Sequence, residues 1–278
     1  MKKSFEKARY RREDGREYKH DLGQHFLYDE ALLEKLVLST GVTEADGVLE
    51  IGPGTGMLTQ FIAKHARKVV AVETDESLIP FLRLKEQEYP NLQVIHGDIR
   101  KQNLAEICAP LGENFFVIAN IPYSITTAIF DLLWQSGLPI RQISVMIQKE
   151  VADKLMASPS TEQYGLTSVR CQYYSVPELE EVVPAELFTP PPKVDSAFIH
   201  LKMRSEPILP VQDEKLLFRM MRAGFNLRRK TLTNALKGTV DGEQLKAAME
   251  ECGLKPTARA EELDVESWIR LSNAVQGL

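Results

Sequence analysis

The chain has 278 residues, 44% of them hydrophobic, with 34 Lys and Arg against 39 Asp and Glu for a formal net charge of −5. That size suits one catalytic domain plus a smaller one, with apolar content ample for a core. No apolar run approaches the ~18 residues that a membrane helix requires, and Met1-Lys2-Lys3-Ser4-Phe5 leads into charge and not into an apolar signal core. Cys108, Cys171 and Cys252 are scattered, which points to a reducing cytosol and excludes a disulfide framework. Neither they nor the histidines (His20, His25, His65, His96, His200) have metal-ligand spacing, so no metal is expected.

In chain order, residues 1 to 20 read as a charged arm; through residue 21 there are eight basic groups against five acidic ones. Asp29 is placed to cap a helix over Glu30 to Leu38. A short apolar strand, 48–51, then runs into Gly52-Pro53-Gly54-Thr55-Gly56, followed by an amphipathic stretch with Leu58, Phe61 and Ile62. A second strand, 68–72, ends in Glu73; a third, 92–95, ends in His96-Gly97-Asp98; a fourth, 115–119, ends in Asn120-Ile121-Pro122-Tyr123. Further strands are expected at 143–147, 169–176 and 194–202, with Pro190-Pro191-Pro192 stiffening the loop before the last. From Pro207 onward strand signals stop, and helical patterns over 213–237, 242–252 and 264–275 predict a small all-helical domain. The expected division is thus an arm (1–20), an α/β catalytic domain with helices on both faces of its sheet (21–206), and a helical domain (207–278).

Each strand end carries chemistry. Glycines after a strand let the backbone turn sharply and approach a ligand, as in nucleotide-binding βα turns. The spacing is G-x-G-x-G and not the dinucleotide G-x-G-x-x-G, so a pyrophosphate is not required. Glu73, 21 positions after Gly52, is placed to accept from both hydroxyls of a ribose, and Asp98 can accept from an adenine amine. Asn120 with a following backbone carbonyl can accept both N–H bonds of an amino group on a flat ring, while the Tyr123 face stacks on that ring. Four such sites at successive strand C-termini would share the crevice where open α/β sheets bind ligands.

At this point the chain resembles the S-adenosylmethionine-dependent adenine N6-dimethyltransferases of ribosomal RNA, over roughly residues 18 to 275. The resemblance rests on Glu50 to Gly56, Glu73, Asp98 and Asn120 to Tyr123, and on Leu22 to Leu27, Gln148 to Ala152 and Tyr164 to Leu166. Phe188 to Ser196 and Phe225 to Asn234 resemble the bacterial small-subunit (KsgA) type in particular. The resemblance implies a Rossmann-like methyltransferase sheet and S-adenosylmethionine as cofactor, bound by His25, Leu27, Gly52, Gly54, Glu73, Asp98 and Asn120. It implies catalysis by Asn120, Ile121, Pro122 and Tyr123, with Phe188 stacking on the base. It also implies a cytoplasmic monomer whose substrate is 16S rRNA in the small subunit or its precursor, dimethylated at two adjacent adenines near the 3′ end. His25 departs from the asparagine usual in the family, and is expected to donate a hydrogen bond to the methionine part of the cofactor.

The net charge is acidic, yet Lys215 to Lys237 contains seven positive charges and no Asp or Glu. Phe218, Met221 and Phe225 recur at helical spacing, which leaves Arg222, Arg228, Arg229 and Lys230 for RNA phosphates. Three other classes remain open. A DNA adenine methyltransferase usually has aspartate at the first tetrapeptide position, and the glycine spacing disfavours a nicotinamide-dependent dehydrogenase. A non-catalytic assembly factor is compatible with every basic residue named.

Overall fold

The computed structural model describes residues 25 to 277, so the expected arm and Leu22 to Gln24 lie outside the described residues. The strands are β1 (Phe26–Leu27), β2 (Gly47–Ile51), β3 (Lys68–Glu73), β4 (Leu92–His96), β5 (Phe115–Asn120), β6 (Ile140–Gln148), β7 (Ser175–Val183), β8 (Phe188–Thr189) and β9 (Ser196–Met203). The helices are α1 (Glu30–Ser39), α2 (Met57–His65), α3 (Ile79–Glu88), α4 (Leu104–Cys108), α5 (Thr126–Gln135), α6 (Lys149–Met156), α7 (Leu166–Tyr174), α8 (Glu214–Asn226), α9 (Leu232–Ala235), α10 (Gly242–Glu251) and α11 (Val265–Gly277).

Seven strands form one sheet in the order β4-β3-β2-β5-β6-β9-β7. The first five pair in parallel, and the inner strands carry near-continuous apolar runs, such as Val69, Val70 and Ala71, that are fully buried, as a parallel sheet requires. The chain moves outward from β2 to β3 to β4, then returns to place β5 on the other side of β2. That reversal creates the crevice at the carboxyl ends of β2 and β5 where such sheets bind ligands. Asp29 caps α1 as expected, its side chain accepting from Leu32 N–H at 3.0 Å.

The chain divides into two compact units, one running up to Lys149 with Leu179–His200, the other Glu150–Glu178 with Leu201–Leu278. This differs from a boundary at 206. Ala157, Tyr164 and Val169 are buried in one apolar cluster with Trp268, Leu263 and Met220. Tyr164 also donates to the Leu263 carbonyl at 2.8 Å. Segment 150–178 therefore belongs to the helical unit.

Two further expectations are corrected. Residues 169–174 are helical, within α7, because Ser168, Val169 and Cys171 are buried at helical and not alternating spacing. The strand follows at Ser175–Val183, at the sheet edge, where Pro177 is tolerated. In the helical unit, α8 stops at Asn226, and Leu227 to Lys230 form a turn closed by Lys230 N–H to the Leu227 carbonyl at 2.7 Å. Thr231 then bridges to Arg259, drawing the chain out of helical conformation.

Candidate active site

The cavity at the β2/β5 crevice encloses about 270 Å³ and is lined by His25, Leu27, Gly52, Gly54, Glu73 and Asp98, together with Asn120 to Tyr123. It lies within the first unit, and four strand ends and the β1 segment meet there.

β2 enters the glycine turn with Gly52 at φ +69° and Gly54 at φ +62°, conformations that favour glycine. A Cβ at Gly54 would come within 2.7 Å of the Phe26 ring, so the turn and β1 pack only because that position is bare. The turn is tied to β3 by Gly52 N–H to the Val72 carbonyl (2.9 Å) and Gly54 N–H to Glu73 Oε2 (3.0 Å). Glu73 Oε1 accepts from Asp75 N–H at 2.7 Å. Burial pushes the Glu73 carboxyl above its usual range, opposed by the Asp75 and Gly54 N–H groups. Each oxygen retains a lone pair for a further donor.

Asp98 is held by Arg100, which sequence reasoning missed. Asp98 Oδ1 accepts from Arg100 Nε (2.9 Å) and its backbone N–H (3.0 Å), and Oδ2 accepts from Nη2 (2.7 Å). The guanidinium keeps the Asp98 carboxyl below its usual range. Three donors on a group with about four acceptor sites leave room for one adenine N–H, on Oδ2.

At the end of β5, Asn120 Nδ2 donates to the His25 carbonyl at 3.2 Å, and among the described residues Oδ1 has no donor of its own. The Pro122 carbonyl accepts from Ile125 N–H at 3.1 Å. The Ile121 carbonyl has no such bond among the described residues, which leaves it as the backbone acceptor beside Asn120. The Tyr123 ring stacks with His25 (5.5 Å between centroids, 25° between planes), and its hydroxyl shares a 2.6 Å hydrogen bond with the buried Ser196 Oγ. Ser196 closes the Phe188 to Ser196 stretch noted in the sequence, but no local signal gave it this role.

His25 Nδ1 donates to the Pro190 carbonyl at 2.7 Å, so any contact of this ring with the cofactor falls to Nε2. Phe188 is corrected. It pairs with Leu27 through β1–β8, is 2% exposed in the main apolar cluster, and does not line the cavity. Its ring has no free face for a base.

In the helical unit, Arg222, Arg229 and Lys230 are exposed, and their side chains make no ion pair or hydrogen bond among the described residues. Arg228 differs. It pairs with Glu261 and donates to the carbonyls of Glu162 (2.7 Å) and Thr161 (2.9 Å), so it helps hold the unit together and is less free than Arg229 or Lys230 to reach phosphates. Among the described residues no helix is long and apolar enough to cross a membrane, and no group of three His, Cys, Asp or Glu could hold a metal ion.

Residues 15–277 match the family model described as ribosomal RNA adenine dimethylase. The chain is 43% identical to the ribosomal RNA small subunit methyltransferase A of Geobacillus thermodenitrificans (strain NG80-2), covering 98% of this chain and 94% of the relative. Among solved structures it is similar to the 23S rRNA methyltransferase ErmE (29% identity, TM-score 0.70, 90% of this chain and 99% of that one). It is also similar to a dimethyladenosine transferase from Plasmodium falciparum (25% identity, TM-score 0.72, 89% and 96%).

Proposed function

The chain belongs to the ribosomal RNA adenine dimethylase family, and from that premise we propose that it dimethylates N6 of two adjacent adenines near the 3′ end of small-subunit (16S) rRNA. S-adenosylmethionine is the methyl donor. The reading rests on one observation above others: Asn120, Ile121 and Tyr123 line the same cavity as Gly52, Glu73 and Asp98. Amine recognition and nucleoside recognition share one space. The residues fit the cofactor, with a bare glycine turn at Gly52 and Gly54 and unfilled acceptor sites on Glu73 and Asp98.

An adenine amine is a poor nucleophile because its lone pair is delocalised into the ring. In the first transfer Asn120 Oδ1 and the Ile121 carbonyl accept its two hydrogens and draw the nitrogen toward tetrahedral geometry, so the lone pair aims across the cavity. As the N–CH3 bond forms, the amine gives up one proton to solvent, and in the second transfer one acceptor holds the hydrogen that remains. Position and electrostatics carry the step, and no His or Cys nucleophile is called for. Tyr123 offers the flipped base a ring face worth roughly 1–3 kcal/mol, against an unstacking cost of a few kcal/mol. The Ser196 hydroxyl and the His25 ring fix the orientation of that face. When bound, S-adenosylmethionine supplies an electrophilic methyl group on a sulfonium that departs as a neutral thioether.

Arg222, Arg229 and Lys230 contact rRNA phosphates, and the enzyme works as a metal-free monomer in the cytoplasm. The small-subunit substrate is supported by the name of the 43%-identical relative and by Phe188 to Ser196 and Phe225 to Asn234. The test is incubation with labelled S-adenosylmethionine and, in parallel, undermodified small subunits, naked rRNA and DNA. Dimethyladenosine on the small subunit is expected; label on DNA alone, or on large-subunit rRNA, overturns the assignment.

A further inference from the structure

Glu73 and Asp98 follow from the carboxyl ends of neighbouring strands, β3 and β4, yet they are held differently. Glu73 is 6% exposed and rests on the backbone N–H groups of Gly54 and Asp75. Asp98 opens a single 3-10 turn, Ile99–Lys101, and both its oxygens are taken by the guanidinium of Arg100. Arg100 itself lines the cavity, and its side chain is 46% exposed against 16% for Asp98. An ion pair so open to water contributes little to stability, so its effect lies in what it does to the carboxylate. Nε and Nη2 meet Oδ1 and Oδ2 side by side, at 2.9 and 2.7 Å. Such a fork draws the carboxylate into the guanidinium plane and stops its rotation about Cβ–Cγ. The Arg100 N–H takes the remaining position on Oδ1 at 3.0 Å. One acceptor position is left, on the side of Oδ2 away from the fork.

We propose that Arg100 is a positioning residue that makes the cofactor site selective for a 6-aminopurine: its fork leaves Asp98 a single open lone pair, fixed in direction, for one exocyclic N–H. This rests on the cofactor assignment. Arg100 acts through Asp98 and does not itself touch the base. A 6-oxopurine presents an oxygen at the same place and sets acceptor against acceptor. A carboxylate that cannot turn away has no means of relieving that repulsion. Without the fork the carboxylate rotates, takes water on either oxygen, and tolerates both purine edges. Lysine would keep the charge but, as a point charge on a flexible stem, would not fix the plane.

The test compares two ligands that differ at that one position, S-adenosylhomocysteine and S-inosylhomocysteine, by calorimetric titration of the full chain. Wild type should prefer the amino form by about 10–100-fold, the scale of one hydrogen bond to a charged group. Arg100→Met keeps the aliphatic stem and should narrow that preference by about three- to tenfold, mainly by weakening the amino form. A merely structural role would weaken both ligands alike and leave the ratio where it was. Arg100→Lys should fall between Arg100→Met and wild type. In an Asp98→Asn background, adding Arg100→Met should not change the ratio, because no carboxylate remains for the fork to hold. A wild-type ratio in Arg100→Met, a wild type indifferent to the two purines, or a further change of ratio in the double variant overturns the proposal. Failure of wild type to bind either ligand overturns the cofactor assignment on which it rests. If Arg100→Met does not fold by circular dichroism, Arg100→Lys takes its place, and an unnarrowed ratio there overturns the proposal.

Discussion

In the α/β unit the cavity side chains hold one another. Asn120 donates to His25, Tyr123 shares its hydroxyl with Ser196, Glu73 accepts from Gly54 and Asp75, and Asp98 is gripped by Arg100. In the helical unit the exposed cations Arg222, Arg229 and Lys230 are held by nothing among the described residues. Preorganisation is what chemistry demands, because a reacting group misplaced by an ångström loses most of its effect. Phosphate recognition along an irregular RNA surface demands reach instead, and salt sensitivity comes with it. Within the helical unit itself, Arg228 shows the contrast over a single peptide bond: it is anchored, and Arg229 is not.

The comparison can be broken or sharpened by substitution. Asn120→Ala should lower single-turnover rate by about 10²–10³-fold, the scale of removing one preorganised hydrogen-bonding group, while small-subunit binding persists. A near-normal rate would remove Asn120 from the step. Tyr123→Ala should lose roughly 1–3 kcal/mol of base stacking, seen in kcat/KM. Tyr123→Phe keeps the ring face and should cost only about 1 kcal/mol, as Ser196 loses its partner. If the two variants are equally impaired, the hydroxyl matters more than the face.

Glu73→Ala should weaken cofactor binding by about 1–3 kcal/mol, measured by calorimetry, and should leave rRNA affinity unchanged. In the other unit, neutralising Arg229 and Lys230 to Gln should flatten the salt dependence of small-subunit binding by about one to two units, at roughly 0.7 per contact. Cofactor affinity should not change. An unaltered slope would mean that these cations only solvate the surface. The smallest effect on RNA should come from Arg228→Ala, which instead lowers stability by about 1–3 kcal/mol through its lost Glu261 and carbonyl bonds, read from a urea midpoint. A variant as stable as wild type, with a flattened salt slope, would return Arg228 to the RNA surface.

Most of the cavity was legible because its parts are strand ends. Apolar runs that stop abruptly at Gly52, Glu73, Asp98 and Asn120 announce both the strand and the chemistry beyond it. What escaped depended on partners distant in sequence. β1 and β8, two residues each, exist only through each other. Phe188 was expected to stack on the base from the resemblance alone, and nothing local says that its ring is buried with Leu27 and the rest of the core. Arg228 looked free because Glu261 and the carbonyls at 161 and 162 lie far along the chain. β7 was misplaced because an edge strand bearing Pro177, Glu178, Glu180 and Glu181 has no apolar alternation to show.

The β1–β8 pairing sets a schedule for the molecule's own synthesis. The wall holding His25 and Leu27 is fastened by Phe188 and Thr189, and the His25 ring by Pro190, 165 positions later. A nascent chain emerges N-terminus first, at ~5–20 residues per second. Every ligand-lining strand end up to Tyr123 is therefore made well before the segment that latches the cavity's first wall into place. A ribosome has to translate about two thirds of this chain before the product can hold its methyl donor as the finished protein does. Truncation before Phe188 should yield a fragment with the glycine turn and all four strand ends, yet with an open cofactor site.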